Sequence, residues 1–385
     1  MADETNQAIS DEIEQEKEHF QSVVNAFLYY KKHALLKLQR TWSHYQELPE
    51  PHKRMLSKFP GHLEVVRQGI EQNYKFVRSI VSSAVGMFEN SEVSCFDSTA
   101  AMEQMQYATE FEMEKVKTTI KQFYRDWSVE GAHERELCYK PIIDEIVSIY
   151  PPNSITPSDV AILVPGAGLG RLAHELARLG YRCEGNEFSM FMLLASNFIL
   201  NQSCDTHTHT IYPWVLQFCN NLSYEHQVAK VTIPDISPSS LPQYGLFSMC
   251  AGDFLEVYTT PGVWDCLACC FFIDTAHNVI DYLQAIHNVL KPGGYWINFG
   301  PLLYHFAGMP NEFSIEPSWD DIRRIATEEI GFEILKEERN RPSYYIQNPQ
   351  SMLQMTYNSV FMVARKKMPA AIEPDQSSRV EIHKH

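Results

Sequence analysis

The sequence predicts an α/β fold, with a mostly parallel seven-stranded sheet wound with helices and a helical region added before it. Three observations carry that expectation. The apolar run 160–164 leads straight into a loop with Gly166, Gly168 and Gly170, and a helical pattern follows. From Asp159 onward, strand-like runs alternate with helix-period segments, the mark of a parallel sheet with helical crossovers. Before Pro151 and Pro152, apolar residues recur at helical spacing.

Residues 8–46 read as one helix, with Phe20, Val24, Phe27, Leu28, Leu35, Leu36 and Leu38 spaced among charges. Pro49, Pro51 and Pro60 break the pattern. A second helix is expected over 62–88, a polar and flexible stretch over 90–105, and further helices over 109–127 and 133–150. Strands are expected near 160–164, 181–186, 247–251, 263–273, 294–300, 331–338 and 359–366, the last two paired at the sheet edge and the last reversed. Residues 202–246 are too long for an ordinary connection and read as a functional lid or a disordered insertion. The chain thus divides into a helical region (1–150, with 109–150 contributing to the cofactor site), a nucleotide-binding domain (151–367) and a disordered tail (368–385).

Composition narrows the function. A chain of 385 residues with 44% hydrophobic and 21% charged residues reads as an ordinary globular protein. Its net charge of -16 argues against nucleic acid as a partner, since backbone phosphates demand a basic surface. No apolar stretch reaches membrane-spanning length, so no membrane partner is expected. Nine irregularly spaced cysteines fit a reducing compartment, the cytoplasm with the nucleus open to it. The long amphipathic N-terminal helices could build a homodimer or cap the pocket of a monomer.

The glycine loop places backbone N–H groups and a helix N-terminus at the end of a strand, a cradle for a nucleotide-like cofactor. A dinucleotide fingerprint needs Gly or Ala five positions after its first glycine, and Arg171 stands there. S-adenosylmethionine fits this spacing better than a nicotinamide cofactor. Glu187 ends the next strand about 20 positions on, where a ribose diol is gripped in such folds. Asp253 and Phe254 follow a third apolar run and offer an acceptor for an exocyclic amine and an apolar face for adenine.

Taken together, residues 125–128 (Arg-Asp-Trp-Ser), the Gly166–Arg171 loop, Gly185-Asn186-Glu187-Phe188, Ile211-Tyr212-Pro213, Gly252-Asp253-Phe254 and residues 271–276 (Phe-Phe-Ile-Asp-Thr-Ala) resemble the carnosine N-methyltransferase family. The resemblance covers about residues 60–367. It implies a class I methyltransferase, Rossmann-like fold that transfers a methyl group from S-adenosylmethionine to the imidazole of carnosine at its pi nitrogen, giving anserine. It also implies that Gln122 and Arg125, three apart on one helix face, contact the cofactor, and that His305 contacts the substrate imidazole. One departure from the wider superfamily is Val164, which stands where an acid often precedes the first glycine.

Methyl transfer needs alignment more than strong acids or bases. A neutral imidazole attacks through one nitrogen, and its other N–H needs a carboxylate that also stabilises the cationic product. Asp274 is the candidate, because it ends the apolar run 266–273 at the carboxyl end of a central strand. The alternative is an N-cap for a helix starting near Ala276 or His277. Tyr357 opens the last strand and would stand at the same rim as a hydrogen-bonding wall; Tyr344 and Tyr345 are weaker candidates. Cys266, Cys269 and Cys270 read as core rather than zinc ligands, with Cys270 bordering the cofactor. His207 and His209 read as a polar loop, and the segment 211–214 as a cover over the site. Two other functions stay open: histidine methylation in peptides or proteins, and a catalytically silent binding module.

Overall fold

The computed structural model describes the backbone of residues 2–84, 107–242 and 247–368, with side chains from Glu14 onward. The stretches expected to be flexible, 90–105 and the tail beyond 368, lie outside these residues.

The helical region opens with α1 (Ala2–Gln46), α2 (Glu50–Met55) and α3 (Phe59–Ala84). The next helix, α4 (Glu110–Trp127), begins at a capping box in which Thr109 and Glu112 satisfy each other's backbone N–H groups. The helix expected over 133–150 is two helices, α5 (Ala132–Cys138) and α6 (Lys140–Ile149). Pro141 lacks the N–H that would continue the first ladder, so a new helix starts with that proline in its first turn.

The sheet domain runs β1 (Ala161–Pro165), α7 (Arg171–Arg178), β2 (Arg182–Glu187), α8 (Met190–Gln202), β3 (His209–Ile211), α9 (Tyr224–Gln227), β4 (Val231–Ile233) and β5 (Phe247–Ala251). It continues through α10 (Phe254–Val257), β6 (Trp264–Cys270), α11 (Val279–Val289), β7 (Leu290–Gly300), α12 (Trp319–Arg324), β8 (Phe332–Ser343) and β9 (Tyr357–Lys366). Seven strands form one sheet in the order β5-β2-β1-β6-β7-β9-β8. All pairings are parallel except those of β9, which runs antiparallel to both β7 and β8. The reversed strand therefore lies inside, with β8 at the edge.

Every residue of β1 is buried, as befits a central strand covered on both faces. One face packs against Ile142 and Ile146 of α6 and Leu172 and Leu176 of α7; the other meets Leu283 and Ile286 of α11. A further core joins α1, α3, α4 and α8 through Phe27, Tyr30, Ile70, Phe76, Phe123 and Phe198. After β1 the chain winds outward through β2 to β5, then returns to the opposite side of β1 with β6. That reversal opens a crevice at the carboxyl ends of β1 and β6, the natural ligand site of such a sheet.

Two expectations change in detail. The strand expected over 263–273 ends at Cys270, because Phe271 adopts a left-handed φ of 54° and Ile273–Thr275 forms a 3-10 turn. The stretch 202–246, in its described part, holds the antiparallel β3–β4 pair and buries Ile211, Trp214, Val215, Val231 and Ile233 in the helical core. Its Tyr212 is clamped to α3: Asn73 Nδ2 donates to the Tyr212 carbonyl at 2.9 Å and the Tyr212 N–H returns a bond of 2.7 Å to Asn73 Oδ1. This part of the expected cover is thus built into the helical layer.

Candidate active site

Gly166 and Gly168 turn the chain out of β1 with φ of 63° and 57°, a region in which a side chain is strained. A Cβ on Gly168 would stand 3.6 Å from Gln122 Nε2, and one on Gly166 would strike Phe272 at 2.8 Å. The loop is pinned by Glu187, whose Oε2 accepts the Gly168 N–H at 2.8 Å while Oε1 accepts those of Phe188 (3.0 Å) and Ser189 (2.8 Å). Burial raises the Glu187 pKa against the pull of these N–H groups. Three bonds leave room on a carboxylate that has about four lone-pair sites.

α4 lies against this loop with Gln122 and Arg125 buried at 3% and 4% exposure. Gln122 Nε2 donates to Asp126 Oδ2 at 2.9 Å. Arg125 Nη1 donates to the Tyr139 hydroxyl at 2.8 Å, which in turn donates to Asp126 Oδ1 at 2.8 Å. Arg125 Nε forms a 2.6 Å ion pair with Glu134 whose angle falls outside hydrogen-bond geometry. Its guanidinium is sandwiched between the rings of Tyr139 (4.8 Å) and Tyr345 (5.0 Å). Burial opposes the charge, but Tyr139, Asp126 and Glu134 outweigh it and hold the Arg125 pKa well above the ordinary range. Among the described residues, three buried atoms of this pair have no hydrogen-bond partner; Arg125 Nε has its ion pair with Glu134, which leaves Gln122 Oε1, an acceptor, and Arg125 Nη2, a donor, as the two orphans. Such orphans are costly unless a ligand completes them. An amino-acid group, with one ammonium and one carboxylate, offers the complementary donor and acceptor. The methionine part of S-adenosylmethionine fits that requirement.

At the end of β5, Asp253 accepts the Leu255 N–H at 2.7 Å and so caps α10. Phe254 departs from expectation. Its ring is 2% exposed and packs in the core against Phe272 (5.3 Å) and Tyr282 (5.4 Å), so it is not the free apolar face expected for adenine. What Phe254 keeps near the crevice is its backbone N–H in the first turn of a helix, where no intrahelical acceptor exists. Cys270 ends β6, where burial pushes its thiol pKa well above the ordinary value. Cys266 and Cys269 are wholly buried in the same strand. No cluster of three metal-ligating side chains occurs among the described residues, and His209 packs against Phe76 and Phe198.

Asp274 is 2% exposed. Its Oδ2 accepts the Leu303 N–H at 2.8 Å and its carbonyl accepts the His305 N–H at 2.9 Å, so the loop after β7 is strapped to the end of β6. The capping alternative is not what the fold uses: Asn278 caps the next helix by accepting the Ile280 N–H at 3.1 Å. Burial pushes the Asp274 pKa up, against the Leu303 N–H and His305; burial pushes His305 down, against Asp274. His305 itself is exposed at the rim. Tyr357 opens β9, and its ring stands 6.0 Å from Phe271, which lies 5.3 Å from Tyr345. Phe271 thereby links the Arg125 end of the crevice to the Tyr357 end.

The family model for carnosine N-methyltransferase matches residues 102–368. The chain belongs to the carnosine N-methyltransferase family. It is 47% identical to the mouse carnosine N-methyltransferase over 356 residues, covering 92% of this chain and 88% of the relative. To the Drosophila melanogaster carnosine N-methyltransferase unmet it is 46% identical, covering 95% and 83%. To the Schizosaccharomyces pombe carnosine N-methyltransferase it is 39% identical, covering 91% and 96%.

Within this family frame, the partners that hold two of the arginines could not be paired with them from the sequence. Asp126, Tyr139 and Glu134 order Arg125 from three different elements. Arg171, the residue that set the loop apart from a dinucleotide motif, turns inward. Its Nη1 donates to Asp235 Oδ1 at 2.6 Å, and its guanidinium stacks 5.0 Å from Trp127. Asp235 also accepts from Arg135 at 2.7 Å and so balances two arginines. Lys115, on α4, draws down the pKa of both Glu187 and His305.

Proposed function

We propose that the protein transfers the methyl group of S-adenosylmethionine to the pi nitrogen of the carnosine imidazole, releasing anserine and S-adenosylhomocysteine. The observation that carries this reading is the buried carboxylate of Asp274, which accepts the Leu303 N–H in the loop that carries His305, just past the carboxyl end of β6 and beside the glycine loop of β1. S-adenosylmethionine, when bound, supplies an electrophilic methyl group on a sulfonium.

The chain's own residues do the rest. Arg125 Nη2 and Gln122 Oε1 would take the carboxylate and ammonium of the methionine part, which accounts for both orphaned atoms. Glu187 would accept the ribose hydroxyls, and Asp253 the adenine amine beside the Phe254 N–H. Gly168 would leave the space that a side chain would fill, Gly166 and Gly170 give the loop its left-handed turns against Phe272 and Leu200, and Cys270 would border the cofactor. Asp274 would accept the N–H of the imidazole nitrogen that is not methylated, which selects the attacking tautomer and stabilises the ring as it turns cationic. His305, whose pKa desolvation lowers against the pull of Asp274, would face the ring from the rim, and Tyr357 would wall it. No strong base is needed, because the attacking nitrogen carries no proton and the cationic product becomes neutral when its remaining N–H loses its proton to solvent.

The test is mass spectrometry of carnosine, free histidine and a histidine-containing peptide, each incubated with the purified protein and S-adenosylmethionine. Anserine formed from carnosine in preference to the other products supports the reading. Product from the longer peptide alone would move the activity to peptide or protein histidine, and binding without product would leave a silent module.

A further inference from the structure

Glu134 lies on α5, outside the glycine loop and the acceptor rim, yet it is only 6% exposed. Its Oε1 sits 2.6 Å from Arg125 Nε and accepts the Ile346 N–H at 2.9 Å; its Oε2 accepts the Gln347 N–H at 3.3 Å. Ile346 and Gln347 belong to the connection 344–356 between β8 and β9. Tyr345, on the same connection, lays its ring over the Arg125 guanidinium at 5.0 Å and stands 5.3 Å from Phe271. The connection ends at Tyr357, paired across the hairpin with Ser343. Its far side is tied to the insertion, where the Met352 N–H donates to the Asn220 carbonyl at 2.8 Å and Gln217 Nε2 to Ser351 Oγ at 3.0 Å. One buried carboxylate therefore joins the cation at the cofactor end to the backbone of the segment bordering the acceptor end.

We propose that Glu134 is a positioning residue that couples cofactor binding at Arg125 to the ordering of 344–356, and through it to acceptor binding. The inference rests on the reading of Arg125 as the group that meets the cofactor's carboxylate. The guanidinium is held at Nε by Glu134 and at Nη1 by Tyr139, and its Nη2, which lies between these two positions, has no hydrogen-bond partner. An anion on Nη2 completes the set of contacts and fixes the guanidinium, which fixes Glu134 and the two amides whose N–H groups Glu134 accepts. Conformational freedom lost on the first binding event is not lost again on the second, so cofactor and acceptor favour each other reciprocally.

The experiment is hydrogen–deuterium exchange of the 344–356 amides with and without saturating S-adenosylhomocysteine, in wild type, Glu134→Gln and Glu134→Ala. In wild type the ligand should slow exchange there about tenfold, within the range of ordinary site-to-site coupling. Glu134→Ala should still bind the ligand but lose that slowing, with the KM for carnosine raised about tenfold and kcat changed less than about threefold. Glu134→Gln, isosteric and still an acceptor, keeps the readout available if the alanine variant fails to fold, and it should lie between the two. Loss of a merely structural contact would instead lower thermal stability and speed exchange equally with and without ligand. Ligand binding to wild type without slowed exchange, or full slowing in either variant, overturns the inference and leaves the cofactor reading standing. No binding to wild type overturns both.

Discussion

Replacing Asp274 by Asn removes a charge and very little shape. The side chain is 2% exposed, and its bond from the Leu303 N–H at 2.8 Å is one that an amide oxygen can keep. The acceptor imidazole is neutral on arrival and cationic as the methyl transfers, so the lost charge counts most in the transition state. For unit charges about 4 Å apart at an effective dielectric of about 20, the attraction is about 4 kcal/mol. At about 1.4 kcal/mol per decade, kcat should fall roughly a thousandfold. The KM for carnosine should move far less, and S-adenosylhomocysteine affinity should hold. Stability should not follow activity down. Because the Asp274 pKa is raised by burial, its contribution to stability is present in acid, below the unfolded value, and is lost as pH rises through the folded value. At neutral pH the ionised carboxylate is therefore a burden on the apo fold, and Asp274→Asn should leave Tm unchanged or raise it. Anserine quantified by mass spectrometry gives kcat, calorimetry gives ligand affinity, and a thermal melt gives Tm. A kcat within about tenfold of wild type, or a parallel loss of ligand affinity, would refute this account of Asp274.

Three other perturbations separate the parts of the site. Gly168→Val places a branched side chain at φ 57°, with its Cβ 3.6 Å from Gln122 Nε2; backbone strain of about 1–2 kcal/mol joins the occlusion, and calorimetry should show S-adenosylhomocysteine affinity lost, whereas an unchanged Kd would misplace the cofactor. Burial lowers the His305 pKa, so this ring is neutral above the titration of the substrate's own imidazole near pH 6.5; kcat/KM should fall on the acid side of that value, and His305→Asn should lower kcat by about tenfold to a hundredfold while the acid limb stays in place. Asp235→Asn leaves Arg135 and Arg171 without their shared charge and should cost about 3–5 kcal/mol, seen as a lowered Tm with little change in ligand affinity once folded.

The parallel sheet was legible because its signals are local. An apolar strand feeding a glycine turn and a helix, repeated in order, leaves few topologies open; Glu187 does end its strand as read, whereas Asp274 stands in the 3-10 turn beyond its strand, four positions past Cys270. What local pattern could not give was anything set by packing between distant segments. Phe254 follows Asp253 at a strand end, as an adenine platform would, yet tertiary packing turns its ring into the Phe272–Tyr282 cluster. Arg171 has the spacing of a ligand-facing residue, but Asp235, 64 positions away, draws it inward. Glu134 meets the backbone of Ile346 across 212 positions, and no periodicity in either segment announces it.

The reversed strand shows why the site needs the whole chain. In a wholly parallel sheet, only strand ends reach the crevice. Because β9 runs antiparallel between β7 and β8, its first residue, Tyr357, arrives at the rim where β1, β6 and β7 end. Joining the two sets of residues requires a turn at the end of β6. Phe271 makes it with a left-handed φ of 54°, a conformation that a bulky residue adopts only where its surroundings enforce it. The enforcement is visible: the Phe271 N–H donates to the Phe299 carbonyl at 2.8 Å, and the next residue, Gly300, has no Cβ, which would otherwise stand 3.2 Å from Phe271 N and Cα. The kink aims the Phe271 ring at Tyr345 and Tyr357 and starts the 3-10 turn that sets Asp274 beneath the loop carrying His305. The kink at Phe271 thus makes one junction at which Arg125, the Tyr345 and Tyr357 rings and Asp274 are held relative to one another, the alignment on which the proposed in-line methyl transfer would depend.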